Sequence, residues 1–109
     1  MLTTRLLGAT MKPAVGTPGS AAVERGFDVS IESTPKLETY RVALVWTADG
    51  WNKINHTECH LAEVHGNSDF WTGGISFFSE RPTTFFYALV ASGPEGLAWD
   101  NNQGWNYLL

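Results

Sequence analysis

Nine consecutive residues, Trp99-Asp100-Asn101-Asn102-Gln103-Gly104-Trp105-Asn106-Tyr107, gather two tryptophans, a tyrosine and three asparagines. A carboxamide both donates and accepts hydrogen bonds without carrying charge, and an aromatic ring supplies rigid apolar area. That mixture suits a neutral ligand held by stacking and hydrogen bonds. Whole-chain composition agrees: the net charge is -4, with seven Lys plus Arg in 109 residues and no basic run. A surface that tracks phosphates needs clustered cations, so composition argues against nucleic acid and against anionic membranes as partners. Five tryptophans are many for this length, and each must pack or bind.

Two other clusters invite a chemical reading. His56-Thr57-Glu58-Cys59-His60, with Glu63 and His65 nearby, contains metal-ligand types. A pair at i and i+4 converges on a helix, whereas on a strand His56 and His60 sit about 13 Å apart. The segment is therefore read as a solvated polar strand face, and no metal or other cofactor is expected. Asp49, Asp69 and Asp100 all fall in turn sequences, and two of them could form the carboxylate pair of a glycoside hydrolase. Nothing in the sequence raises a carboxyl pKa or builds a deep cleft, so no catalytic residue is assigned.

The elements that hold these residues read as strands. Phe27-Asp28-Val29-Ser30-Ile31 alternates with period two, and Tyr40, Val42, Leu44 and Trp46 share one face of the next segment. Trp46 is placed in the core on that alternation. A looser alternation over Trp51–His65 puts Ile54, His56, Glu58 and His60 on one face. Phe70–Phe78 reads as a strand in which Gly73-Gly74 could mark a bulge, and Thr83–Ala91 reads as a core strand. No segment sustains apolar spacing at 3.6 residues. Short strands with turns about every ten residues indicate an all-β antiparallel sandwich. Residues 1–26, broken by Pro13, Pro18 and small-residue clusters, read as a leader or linker, and 27–109 as a single domain. The single Cys59 allows no internal disulfide, and Leu6-Leu7-Gly8-Ala9 is too short for a secretory signal. Location stays open on that basis, with the cytoplasm favoured.

The closing nine residues resemble the "aromatic-Asp-Asn-Asn-x-Gly-x-Asn-Tyr" motif of starch- and glycogen-binding modules of carbohydrate-binding family 21. Upstream, Val42-Ala43-Leu44-Val45-Trp46-Thr47-Ala48-Asp49-Gly50-Trp51 is similar to that family's "V-x-V-x-Y-T-x-D-x-W" strand and turn. The two motifs occur in the family's order, and the resemblance covers roughly residues 27–109. It implies an immunoglobulin-like β-sandwich that binds α-glucans (starch, glycogen, malto-oligosaccharides) without cleaving them.

Carried over position by position, Trp51 and Trp99 match aromatic platforms, Tyr87 a third, and Asn101 and Asn106 the hydrogen-bonding asparagines. Asn52 is a weaker transfer. A glucose ring has an apolar C–H face and a rim of hydroxyls, which these residue types complement. Gln103 and Trp105 depart from the pattern. For Asn102 and Asp100, turn chemistry competes with ligand contact, and Trp71, Trp105 and Tyr107 lean toward packing. The carbohydrate-binding residues assigned are therefore Trp51, Trp99, Asn101 and Asn106.

Such a module localises a client, here a separate enzyme or phosphatase. Family members that target protein phosphatase 1 carry an Arg/Lys-Val-x-Phe docking sequence. Arg41-Val42-Ala43-Leu44 has Leu in the Phe position and lies in a predicted core strand, so it is rejected as a docking site. The alternative class is a protein-interaction sandwich whose exposed aromatics meet a partner protein.

Overall fold

A computed structural model describes residues 2–16 and 18–109. Among the described residues, ten strands make two antiparallel sheets and there is no helix. The first sheet joins β1 (Thr3–Met11) and β2 (Val15–Gly16) to one edge of β3 (Val23–Thr34), followed by β7 (Ser68–Ser79) and β6 (His60–His65). In the second sheet, β9 (Gly96–Asp100) and β10 (Tyr107–Leu108) share one edge of β8 (Phe86–Gly93), followed by β4 (Arg41–Thr47) and β5 (Asn55–Glu58).

Period-two alternation decides which side chains lie between the sheets. Phe27, Val29 and Ile31 from β3 and Trp71 and Ile75 from β7 meet Val42, Leu44 and Trp46 from β4 and Tyr87, Leu89 and Ala91 from β8. The Phe27 ring lies 5.2 Å from Phe85 and 4.9 Å from Tyr87, and the edge of Trp46 meets Phe77 at 6.2 Å. These contacts cross the sandwich, and each large apolar side chain removed from water contributes about 1.5–3 kcal/mol. The two buried indoles satisfy their N–H groups: Trp46 Nε1 donates to Thr57 Oγ1 and Trp71 Nε1 to Ser33 Oγ, both at 3.0 Å. The all-β sandwich expected from sequence is present, with Trp46 and Trp71 in its core.

Val42 and Leu44 are fully buried, so the Arg41–Leu44 segment presents no docking sequence. β10 is short, yet it pairs with β8 through Tyr107 opposite Tyr87. The pairing is prolonged where Phe85 and Leu109 exchange backbone hydrogen bonds of 2.9 and 2.8 Å.

Four local features differ from the sequence reading. Within residues 1–26, read as leader or linker, Thr3–Met11 forms β1 and pairs with β3 from Thr3–Thr34 to Met11–Phe27; Met1 and Thr17 of that stretch lie outside the described residues. Leu2, Leu6 and Ala9 reach the core, and a register shift between Leu6 and Gly8 puts the last two three residues apart, so period two does not run through the strand. Ile54, His56, Glu58 and His60 do not share a face, because the chain changes sheets at Cys59. His56 pairs with Val45 in the second sheet, and His60 pairs with Thr72 in the first.

Gly73-Gly74 carries no bulge against β3, where the register is continuous. The bulge lies on β6, between Leu61 and Glu63. The glycines serve close approach instead: a Cβ on Gly73 would lie 2.6 Å from Cys59 Sγ, and one on Gly74 would lie 2.3 Å from Asp28 Oδ1. Finally, Tyr87 is 2% exposed and stacks on Tyr107 with ring centroids 5.3 Å apart. It is a core residue and offers no platform.

Candidate functional site

The outer face of the second sheet is built from what β4, β8 and β9 do not turn inward. Opposite the buried Val42, Leu44 and Trp46 lie Ala43 and Val45, and opposite Tyr87 and Leu89 lie Ala88 and Val90. Register places Val45 beside Ala88 and Val90 beside Trp99. Small side chains on the two central strands thus form a floor, and Trp99, 53% exposed, rises from the edge strand next to it.

Trp51 comes from the turn after β4, which the Thr47 hydroxyl organises. Thr47 Oγ1 donates to Asp49 Oδ1 at 2.8 Å and accepts the Trp51 N–H at 3.0 Å. Asp49 Oδ1 also accepts the Lys53 N–H at 3.0 Å. Those bonds, the Lys53 N–H foremost and then the Thr47 hydroxyl, hold the Asp49 carboxyl below its ordinary pKa. Trp51 itself adopts φ 70°, a left-handed conformation that is strained for a bulky residue.

The asparagines come from the loop between β9 and β10, and Asp100 anchors it at both ends. Its Oδ2 accepts the Leu6 N–H from β1 at 2.7 Å, and its Oδ1 accepts the Tyr107 hydroxyl at 2.7 Å and the Asn102 N–H at 3.3 Å. Burial first, and then the bond to Asp100, raise the Tyr107 pKa. The loop also bonds to itself: the Asn101 carbonyl accepts the Asn106 N–H at 2.8 Å, and Asn102 Nδ2 donates to the Asn106 carbonyl at 3.1 Å. Asn101 Oδ1 accepts the Gly104 N–H at 3.0 Å, and among the described residues its amide N–H2 has no hydrogen-bond partner. Among the described residues nothing hydrogen-bonds the Asn106 carboxamide.

Among the described residues, five that are not glycine have positive φ, and four of them (Trp51, Asn102, Gln103, Asn106) lie in these two segments. Strain of this kind persists where the surrounding structure over-determines it, and it concentrates at functional sites.

Trp51, Trp99, Asn101 and Asn106 line one open cavity of about 290 Å³, together with Val45 and Ala88. Its wall carries no charge. Two indoles, an aliphatic floor and two carboxamides with unused hydrogen-bonding capacity suit a neutral ligand with one apolar face and a polar rim. The structure therefore brings together all four residues singled out in the sequence. It adds Val45 and Ala88, which sequence reasoning passed over; their signal was the run of small residues on the outward phase of two core strands.

The other candidates lie elsewhere. Asn52 is exposed and donates its amide to the Asp49 carbonyl at 2.8 Å. Trp105, expected to lean toward packing, is 84% exposed, because the left-handed backbone at Asn102 and Gln103 turns it outward on a tight loop. Asn102 and Asp100 serve turn chemistry, as their residue types allow. Asp69, expected in a turn, lies within β7, where it is buried and accepts the Leu37 N–H at 2.9 Å, so all three aspartates are committed to holding the backbone. Among the described residues, no group of three His, Cys, Asp or Glu side chains is placed to hold a metal ion.

No protein-family model matches the sequence, and no curated protein matches it. Among solved structures, the chain is similar in fold to the carbohydrate-binding module of the muscle glycogen-targeting subunit of protein phosphatase 1. The TM-score is 0.55 at 19% sequence identity, over 93% of this chain and 73% of that one.

Proposed function

We propose that this chain is a non-catalytic carbohydrate-binding module for α-glucans such as starch, glycogen and malto-oligosaccharides. The observation that carries the reading is the convergence of Trp51, Trp99, Asn101 and Asn106 on one uncharged cavity. Trp51 and Trp99 stack on the C–H faces of glucose rings, and the Asn101 and Asn106 amides bond their hydroxyls. The fold it shares with a module of a glycogen-targeting subunit supports glucan as the polymer. It also supports a role in bringing a separate client, an enzyme or a phosphatase, to that polymer. Binding at one such open site is weak, and tight association depends on many contacts along the polymer.

Titration of maltoheptaose, with cellohexaose as control, tests the reading through intrinsic tryptophan fluorescence. Saturable quenching by the α-glucan alone is expected. Trp99→Ala, with its fold intact by circular dichroism, weakens it about 10-fold to 100-fold, the equivalent of one aromatic side chain's burial. If neither sugar changes the fluorescence at millimolar concentration, the reading fails. The exposed Trp105 on the same loop would then favour the second reading, a protein-interaction surface.

A further inference from the structure

The outer face of the second sheet holds a second hollow, of about 370 Å³, on the far side of Trp99. Arg41, His56, Glu58, Val90 and Leu97 line it, and it shares Val45 and Trp99 with the first cavity. Strand register explains the shape. One cross-strand row runs Glu58, Ala43, Val90, Trp99, and the next places His56 beside Val45 and Val45 beside Ala88. The two central strands contribute only small residues to this face, while the flanking strands raise Glu58 and His56 on one side and Leu97 and Trp99 on the other. The result is a trough running along β4 and β8. From Ala88 at one end to Ser92 at the other, β8 covers about 13 Å, longer than a disaccharide.

The far wall of this trough is polar yet self-neutralising. Arg41 Nε donates to Glu58 Oε2 at 3.3 Å, and a second guanidinium nitrogen donates to Oε1, a bidentate pair open to solvent. A guanidinium has five N–H donors and a carboxylate about four acceptor sites, so the pair keeps both kinds of capacity for hydroxyl groups. Each hollow alone lies near the lower limit of about 300 Å³ for small-ligand clefts, and joined they fall well inside that range.

Resting on the glucan reading above, we propose that one α-glucan chain occupies both hollows. It passes across Trp99 from the Trp51–Asn106 end, where His56 stands on the β5 wall level with Val45 and Ala88, to the Arg41–Glu58 end, and His56, Glu58 and Arg41 bond its hydroxyls in turn. The site thus reads a run of linked sugars, and affinity rises with chain length until the trough is filled.

Calorimetric titrations of maltose and maltoheptaose against the wild type, the double variant Arg41→Ala/Glu58→Ala and Trp99→Ala test this. Maltoheptaose is expected to bind the wild type more tightly than maltose. The double variant should weaken maltoheptaose about 5-fold to 30-fold, the loss of one to two hydrogen bonds, and leave maltose within about twofold. Because Arg41 and Glu58 form an exposed pair, their removal costs little stability, and an unchanged melting temperature checks this. Methyl NMR gives an independent readout: the Val90 and Leu97 signals should shift with maltoheptaose.

If the double variant binds maltoheptaose like the wild type and those methyls stay unshifted, while Trp99→Ala still loses binding, the trough proposal is overturned and the glucan reading stands. If the wild type binds neither sugar, both are overturned.

Discussion

Removal of the Asp100 carboxylate probes whether the loop carrying Asn101 and Asn106 is held as the hydrogen bonds imply. Two of its three bonds are short, to the Leu6 N–H and the Tyr107 hydroxyl at 2.7 Å each, and the third, to Asn102, is 3.3 Å. A hydrogen bond to a charged partner contributes about 1.5–3 kcal/mol. Asp100 is only half-buried, so the lower figure applies, and Asp100→Ala should cost about 3 kcal/mol for the two short bonds. In a domain of this size that lowers the melting temperature by about 10–20 °C.

Asp100→Asn should cost about half as much, because its oxygen can still accept the Leu6 N–H while its amide donates to the Tyr107 oxygen. Tyr107→Phe removes one donor and should cost about 1–2 kcal/mol. Combined with Asp100→Ala it should add much less than that, a coupling of about 1 kcal/mol or more. Urea denaturation of the four variants and the wild type, with unchanged slopes, gives these values. An Asp100→Ala cost below about 0.5 kcal/mol, the range of an ordinary surface change, or strict additivity with Tyr107→Phe, would refute the account of the loop.

Other perturbations separate the site from the frame. Thr47→Val keeps the shape of a buried residue but deletes the hydroxyl that bonds Asp49 and Trp51; a loss of about 1–3 kcal/mol and weaker maltoheptaose binding should appear together in melting and titration. Asn106→Gly accepts φ 61° without strain and removes the free carboxamide, so the melting temperature should hold or rise while glucan affinity falls. Gly73→Ala drives a methyl into Cys59 Sγ and should cost about 1–3 kcal/mol by overpacking, less in a Cys59→Ala background, as read from urea midpoints.

Stability should also fall at both ends of the pH scale. The carboxyls of Glu32, held low first by the Ser68 hydroxyl, and of Glu58, held low first by Arg41, have folded pKa values below the ordinary 4.5. Their contribution is present above that value and is lost as pH falls through the depressed ones. Burial raises the Cys59 thiol from 9.0 to about 11, and Tyr107 rises above 10.0. Their contribution is present below pH 9 and is lost as pH climbs through the folded values. Melting temperatures across pH 3–11 check both limbs.

The sandwich was legible because its strands pack one face against a dry interior, which imprints period two on Phe27–Ile31 and Val42–Trp46. Trp99, Asn101 and Asn106 were legible because their cluster in residues 99–107 has no place in an ordinary strand or turn, whereas Trp51 was singled out only through the resemblance of residues 42–51 to a family motif. What escaped depends on partners distant in sequence. β1 was hidden because its bulge breaks the period, and the change of sheet at Cys59 depends on a buried crossing point that an alternation count ignores. Tyr87 looks equally fit for stacking on a sugar or on Tyr107, and only the inward phase of β8 decides. Trp105 follows from left-handed backbone at two neighbours that are not glycine. The trough floor was invisible because alanine and valine attract no notice until register lines them up.

The bond from the Leu6 N–H to Asp100 joins residues 94 apart in sequence, which makes the binding loop a late product of folding. Closing so long a loop must precede any gain from the contact, and non-local pairings of this kind slow a β-sandwich. On a ribosome, β1 emerges early and must wait for residues 100–107, so the cavity lined by Trp99, Asn101 and Asn106 is completed only after the rest of the sandwich has been made. Nascent chains should therefore acquire stable strands before that cavity takes its final shape.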